Sequence, residues 1–361
     1  MKISIVLLNF SFEGVDGIGN YAYRTILNLS MNKNLTKLTI FIELENLKYI
    51  ENKEWFQFDN VEIKTFILPK NRYFRAIYKF IIPPIDLFKS KYDRIIYVAP
   101  PVNLLTLLFL NVTTVIHDIT PLIVKRKQSL LFKTYFFIMV WIVLKLSKKI
   151  ICISESTKLD LMKYFKIFDK KIIISYNNIP KIKFTKSSNI KKYFLAVSTI
   201  QPGKNIENLI KSFSIFKQEY NLDFKLIIVG KYGWGPKEIY DLPRALNIED
   251  NVEFKGYVSE NELNILYSEA WALINISKYE GFGLPVLEAM YYNCPSIISE
   301  VSALPEVAGK TAIHVNPFNV FEISKALYQI TDEKFRDTLT KEIPKQLLKF
   351  DPVENGRKFF E

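Results

Sequence analysis

The stretch that most constrains the fold runs from Ala270 to Met290. Ala270-Trp271-Ala272-Leu273-Ile274-Asn275-Ile276 is a short apolar run of the kind that forms a buried strand. Ser277-Lys278-Tyr279-Glu280-Gly281-Phe282-Gly283 reads as a turn, and Leu284-Pro285-Val286-Leu287-Glu288-Ala289-Met290 opens a helix with Pro285 in its first turn. Gly281 and Gly283 let backbone approach a ligand closely, and the unpaired amides at the helix start offer donors and partial positive charge to an anion such as phosphate. Glu280 and Glu288 flank this cradle. A carboxylate does not bind phosphate, but it accepts two hydrogen bonds from a vicinal diol. A nucleotide sugar has diols at both ends and phosphates between. The same spacing also suits a surface loop whose glutamates are solvated, and the residues alone leave both readings open.

Elsewhere the chain repeats this alternation. Strand-like runs at Ile3–Leu8, Leu38–Glu43, Val61–Leu68, Arg94–Val98 and Thr113–Ile116 are separated by helical stretches. A second series follows at Tyr193–Val197, Lys225–Gly230, Val252–Val258 and Ser296–Ile298. Alternating strands and helices in both halves predict an α/β protein of two doubly wound, Rossmann-like domains facing a cleft. A length of 361 residues agrees with two domains. The predicted boundaries are 1–185 for the first domain and 190–345 for the second, with a closing helix over 346–361 returning to the first. Two cysteines, Cys152 and Cys294, argue against a disulfide framework and for a reducing compartment, and Cys294 reads as packing. The apolar start, Met1 to Phe10, has no small-residue cleavage site and reads as a first strand rather than a signal peptide. The longest apolar run, Tyr135 to Leu144, is too short for a membrane span.

The formal net charge of +12 is uneven. Residues 1–190 carry 29 Lys and Arg against 14 Asp and Glu, a net +15, whereas residues 191–361 carry 20 against 23, a net −3. A basic half suits nucleic acid, anionic lipid or a phosphorylated substrate, but no nucleic-acid motif is present, so no nucleic-acid partner is expected. Lysine-rich composition is the plainer explanation for part of the excess. Two stretches mix aromatic and basic residues. Residues 125–149 suit either a core helix with solvated ends or a helix lying on a membrane, and apolar residues on nearly every face favour the core. Lys70 to Arg94, broken by Pro83-Pro84, is the preferred candidate for peripheral contact with an anionic membrane.

Gly17-Ile18-Gly19-Asn20-Tyr21-Ala22 satisfies a dinucleotide fingerprint, with Glu43 as a ribose ligand, yet several residues separate it from its strand. His117, one of two histidines, lies just past a strand's carboxyl end, where parallel sheets bind ligands. His314 sits in a strand-like run and reads as structural. Lys204 follows a glycine turn before a helix and is a candidate diphosphate ligand.

Glu280 and Glu288, separated by seven residues around Gly-Phe-Gly-Leu-Pro, resemble the E-x7-E signature of the retaining glycosyltransferases of family 4. The likeness extends over nearly the whole chain, and the second half matches best. It implies the GT-B fold and a retaining, metal-independent transfer of sugar from a nucleotide-sugar donor to a saccharide acceptor, with no cofactor. The likeness is greatest to the bacterial mannosyltransferases that build O-antigen or capsule, so GDP-mannose leads, with UDP and dTDP sugars behind. The family assigns the donor diphosphate to Lys204, to amides near Gly283 and Leu284, and to the loop holding Gly17 and Gly19. Glu280 would orient the sugar hydroxyls, Glu288 the ribose diol, and His117 the donor sugar. Gly281 and Phe282 complete the turn, and the turn at Val258 lies against the base. Many members carry an arginine beside the lysine or at the preceding strand end, where this chain has Gly203 and Ser198, and by this likeness Ser198 is counted among the donor-binding residues. The resemblance and the charge split together predict a cytoplasmic enzyme at the inner face of the membrane, acting on a lipid-linked saccharide. A nucleotide-sugar epimerase of the same fold, a dehydrogenase and a noncatalytic sugar-nucleotide binder are the rival readings.

Overall fold

A computed structural model describes residues 1–7, 17–51, 53–81, 85–100, 102–124, 129–167, 171–179 and 189–360. The chain divides into one unit of Met1–Asn178 with Pro352–Glu361 and another of Ile179–Asp351.

Among the described residues of the first unit, seven parallel strands form one sheet: β1 (Lys2–Leu7), β2 (Lys37–Glu43), β3 (Val61–Phe66), β4 (Arg94–Tyr97), β5 (Val112–Ile116), β6 (Lys149–Cys152) and β7 (Ile172–Ile174). Their order is β3-β2-β1-β4-β5-β6-β7. Ile3, Ile5 and Leu7 on one face of β1 and Ser4 and Val6 on the other are all buried, as expected for a sheet covered by helices on both sides. The polar members of such strands are small: Ser4, Thr39, Thr113 and Thr114 are fully buried. Strands β6 and β7 are additions to the pattern predicted from sequence.

The second unit repeats the plan. Its described strands are β8 (Tyr193–Val197), β9 (Lys225–Val229), β10 (Val252–Gly256), β11 (Ala272–Asn275), β12 (Ser296–Ser299) and β13 (Ala312–Val315), all parallel, in the order β10-β9-β8-β11-β12-β13. The order reverses between β8 and β11, and the crevice beyond the carboxyl ends of such a pair is where open parallel sheets take their ligands. Phe194, Phe213, Phe216 and Phe224 meet in the core, with Phe194 stacked on Phe224 at 4.9 Å between ring centroids. Such buried aromatic pairs add about 0.5–1.5 kcal/mol each beyond their area.

Four features differ from the sequence expectations. The segment that returns to the first unit is shorter than 346–361: the helix Glu333–Leu347 and the turn through Phe350 pack in the second unit, where Phe350 meets Phe282 edge-on at 5.8 Å. Only at Pro352 does a helix of the first unit begin, with proline at its start, where the missing N–H costs nothing. Asn355 holds it there, its backbone carbonyl accepting from the Ser175 hydroxyl and its side chain from the Tyr176 amide. The unit boundary falls between Asn178 and Ile179 rather than near 185–190, and residues 180–188 lie outside the described residues.

The helix Leu130–Leu146, expected to be buried, buries only Met139, Val140, Val143 and Leu144. Leu130, Leu131, Tyr135 and Trp141 are 80%, 83%, 53% and 46% exposed. The basic stretch also differs. Glu43, at the end of β2, is buried and paired with Arg75, and its other oxygen lies 3.4 Å from Lys79 Nζ. These two cations are committed to an internal ion pair. Burial pushes the Lys79 ammonium below its usual range, the nearby Arg75 adding to that fall and Glu43 opposing it. Pro83 and Pro84 lie outside the described residues, as do Lys125, Arg126 and Lys127. Cys152 and Cys294 are both free and buried, and burial pushes the Cys294 thiol up to about 12. Among the described residues no helix is long and apolar enough to cross a membrane.

Candidate functional site

At the carboxyl end of β11 the chain makes a turn held by its own polar side chains. Ser277 Oγ donates to Asn275 Oδ1 at 2.9 Å and lies 2.8 Å from Glu280 Oε1. The Glu280 amide donates to Ser302 Oγ at 2.9 Å, and Ser299 Oγ donates to the Ser277 carbonyl at 2.7 Å. Neighbouring loops after β11 and β12 therefore fix the Glu280 backbone from both sides. The turn after β8 joins them, because the Lys278 amide donates to the Gly203 carbonyl at 2.9 Å and Asn205 Nδ2 donates to the Ile276 and Pro317 carbonyls at 3.1 and 2.6 Å.

This clamp brings Lys204 to Glu280. The lysine Nζ lies 2.5 Å from Glu280 Oε1, although 76 residues separate them, and both side chains are mostly buried. A cation and a carboxylate thus stand together where the sheet order reverses. Here the sequence expectation of two independent ligands becomes a coupled pair.

Gly283 ends the turn and caps the helix Leu284–Tyr291. Its φ is +102°, in the left-handed region that glycine adopts without strain, and an added Cβ would stand 2.4 Å from Leu304 Cδ2. Gly281, Phe282 and Gly283 are buried and Leu284 is half-buried. The Phe282 ring is buried and packs against Phe350. Glu288, on the same helix, accepts a hydrogen bond from the Tyr267 hydroxyl at 2.9 Å. Tyr267 is fully buried, so its phenol is pushed well above its usual range by burial first and by the Glu288 charge second. It stays protonated and serves as a fixed donor that orients the carboxylate. Val258, buried, follows the end of β10 just before Ser259, whose hydroxyl accepts from the Glu262 amide and caps the helix Glu260–Glu269. Ser198, directly after β8, has a buried hydroxyl without a hydrogen-bond partner among the described residues.

The remaining candidates belong to the first unit. Gly17 and Gly19 stand in the first turn of the helix Gly17–Ser30, while the loop before them, including Gly14, lies outside the described residues. As part of a helix, Gly17 to Ala22 is not the strand-abutting turn that a dinucleotide fingerprint requires, and Glu43, its proposed ribose ligand, is consumed by Arg75 and Lys79. His117 directly follows β5. Its Nε2 lies 2.7 Å from the Val98 carbonyl, and its ring meets Tyr21 edge-on at 4.8 Å. His314 is exposed, with Nε2 2.8 Å from the Gly309 carbonyl.

Sequence reading missed Ser277, Asn275, Ser302 and Tyr267. Ser277 carried a signal, being a hydroxyl three residues before Glu280 in a turn. Ser302 and Tyr267 carried none, because their roles depend on the loop after β12 and on the neighbouring helix Glu260–Glu269.

Residues 178–346 match the family described as glycosyl transferases group 1. They form a glycosyl transferases group 1 domain. Over 207 residues the chain is 35% identical to O-antigen chain mannosyltransferase RfbU of Salmonella typhimurium, spanning 57% of this chain and 57% of that one. Over 341 residues it is 26% identical to O-antigen chain mannosyltransferase B of Escherichia coli, spanning 90% and 89%. Among solved structures, Anabaena Alr3699/HepE in complex with UDP and glucose matches with a TM-score of 0.74 at 15% identity, covering 100% of this chain and 98% of the other. The fold is therefore GT-B, two parallel-sheet α/β domains, and the group 1 domain coincides with the second unit and its Lys204, Glu280 and Glu288.

Proposed function

We propose that the chain is a nucleotide-sugar-dependent glycosyltransferase of surface polysaccharide biosynthesis, moving mannose from GDP-mannose to a saccharide acceptor with retention and without a metal. The observation that carries this reading is the Lys204–Glu280 pair at the switch point of the second sheet, beside the capped helix that bears Glu288. Kinship with two O-antigen mannosyltransferases supports the sugar, and the UDP in HepE supports a nucleotide donor in this fold.

On donor arrival Lys204 shares its charge between Glu280 and the diphosphate. As the bond from the anomeric carbon to the phosphate oxygen breaks, charge grows on the departing diphosphate, and a preorganised cation stabilises that state more than the bound substrate. The acceptor oxygen attacks from the same face and passes its proton to the departing phosphate oxygen. Glu280 orients sugar hydroxyls and needs no nucleophilic role, so the two-carboxylate chemistry of glycosidases does not apply.

Calorimetry with a panel of nucleotide sugars, followed by product analysis with an acceptor, tests the reading. Nucleoside diphosphate should be released only with transfer, in EDTA as well as without it. An isomerised free donor with no transfer would establish the epimerase instead, and NAD binding would favour the dehydrogenase. Lys204→Ala should lower kcat more than it weakens donor binding, because only interactions that strengthen in the transition state raise the rate. Full activity in that variant would remove Lys204 from the reaction.

The acceptor is a lipid-linked saccharide, reached at the inner face of the cytoplasmic membrane. The surface that supports this reading is the helix Leu130–Leu146 rather than the stretch from Lys70 to Arg94. Leu131, Tyr135, Ile138 and Trp141 form an exposed stripe at helical spacing that ends on Lys145, and the exposed Leu108 and Phe109 of a neighbouring helix extend it. An apolar stripe on a basic domain suits an anionic bilayer surface, where each nearby cation adds about 1 kcal/mol. Sedimentation with anionic liposomes should carry the protein down at low salt and release it as salt screens the charges. Leu131→Asp with Trp141→Asp should abolish sedimentation, whereas Arg75→Gln, which removes a cation already paired with Glu43, should not. A protein that stays in the supernatant at low salt would refute membrane contact and leave the transferase reading intact.

A further inference from the structure

A pocket of 280 Å³ opens in the second unit between the loops that follow β8 and β9. Ile206, Ile239, Leu242 and Trp234 are among its apolar lining, and Glu207 and Glu238 contribute carboxylates. None of Lys204, Glu280 and Glu288 lines it.

The indole is held with unusual care for a surface residue. Its Nε1 donates to Gln201 Oε1 at 2.7 Å. Gly233 and Gly235 flank it, and both are required by the packing. A Cβ on Gly233 would meet Thr199 Cγ2 at 2.5 Å, and Gly235 has a φ of +126° with Pro202 Cδ 3.0 Å from its Cβ position. The Gly233 amide donates to the Ile200 carbonyl at 3.0 Å. These contacts press the loop onto residues 199–202 and fix the ring, yet Trp234 remains 40% exposed.

The chemistry of this lining is specific. An aromatic face and aliphatic wall receive the C–H surface of a pyranose, while carboxylates accept hydrogen bonds from its hydroxyls. Lys211 Nζ lies 2.6 Å from Glu207 Oε1, and Lys278 also lines the pocket, so the lining is of mixed charge and offers donors as well as acceptors to sugar hydroxyls. The volume is at the small end for ligand sites, matching one sugar ring rather than a whole nucleotide. Asn205 and Lys278, both in the lining, are one and two residues from Lys204 and Glu280, so the pocket adjoins the donor site through the shared turn.

We propose that this pocket binds one hexose unit of the saccharide acceptor, beside the donor site; the assignment rests on the transferase reading above. The test uses the full chain, with mannotetraose and GDP titrated separately by calorimetry. Wild type should bind both. Trp234→Ala should weaken mannotetraose about tenfold and leave GDP unchanged, with Trp234→Phe restoring most of the loss. In turnover, the acceptor KM should rise in Trp234→Ala while kcat and the donor KM stay put. Equal mannotetraose binding in wild type and Trp234→Ala overturns the proposal. So does a matching loss of GDP affinity, which would give the pocket to the nucleotide. A wild type that binds GDP but no mannotetraose overturns the pocket alone, whereas one that binds neither GDP nor any nucleotide sugar overturns the transferase reading itself.

Discussion

Glu288→Ala is expected to weaken binding of GDP by about tenfold to over a hundredfold, since each hydrogen bond to a charged group contributes about 1.5–3 kcal/mol. The loss should appear with the bare nucleoside diphosphate, because the carboxylate is assigned to the ribose diol and not to the transferred sugar. A second effect follows from Tyr267. Its hydroxyl is buried and donates to Glu288 Oε2, so alanine leaves that donor without its partner, at about 1–3 kcal/mol of stability. Two further variants separate binding from stability. Glu288→Gln keeps an acceptor for Tyr267 and should recover the unfolding midpoint, yet one neutral amide oxygen cannot hold a diol as a carboxylate does, so affinity stays low. Tyr267→Phe removes donor and need together and should retain most GDP affinity. Unchanged GDP affinity in Glu288→Ala would take the residue out of the site.

Most of the architecture was legible because punctuation and periodicity coincide in it. Gly283 and Pro285 mark the end of a turn and the start of a helix, and the short apolar run before them reads as a buried strand. The two strands missed, β6 and β7, are short, and β6 follows the helix Leu130–Leu146 after only Ser147 and Lys148. An apolar residue at nearly every position of that helix hides which face is buried. The pattern suggested a core helix, whereas only Met139, Val140, Val143 and Leu144 turn inward. Within the site, the residues that face a ligand were readable from local spacing, but their couplings were not. Lys204 and Glu280 meet across two strands of the sheet, and Tyr267 reaches Glu288 from another helix. Glu43 shows the converse. Its position at a strand end suited a ribose ligand, and only the fold shows Arg75 and Lys79 already holding it.

Gly230→Ala should be among the most destabilising single substitutions in the second unit. Gly230 follows β9 with a φ of +147°, and its amide donates to the Gly256 carbonyl at 2.7 Å. A Cβ there would stand 1.9 Å from the Ser198 carbonyl oxygen and 2.6 Å from its carbon. These are backbone atoms at the end of β8, where the Ser198 amide already donates to the Val229 carbonyl at 2.9 Å. No side chain can rotate away, so the ends of β8 and β9 must separate, and the positive φ adds strain. Together the two effects are worth about 2–6 kcal/mol, against a typical domain stability of about 5–15 kcal/mol. Two other glycines divide the causes. At Gly256 the φ is +67° but an added Cβ meets nothing within 4 Å, so alanine there should show backbone strain alone, about 1–2 kcal/mol. At Gly203 no atom lies within 4 Å and the φ is ordinary, so alanine should change stability by less than about 0.5 kcal/mol. Urea unfolding followed by the fluorescence of Trp271, in the core of the second unit, reads all three. The midpoint should fall in the order Gly203→Ala, Gly256→Ala, Gly230→Ala, and a Gly230→Ala midpoint at or above that of Gly256→Ala would contradict the close approach of the two strand ends.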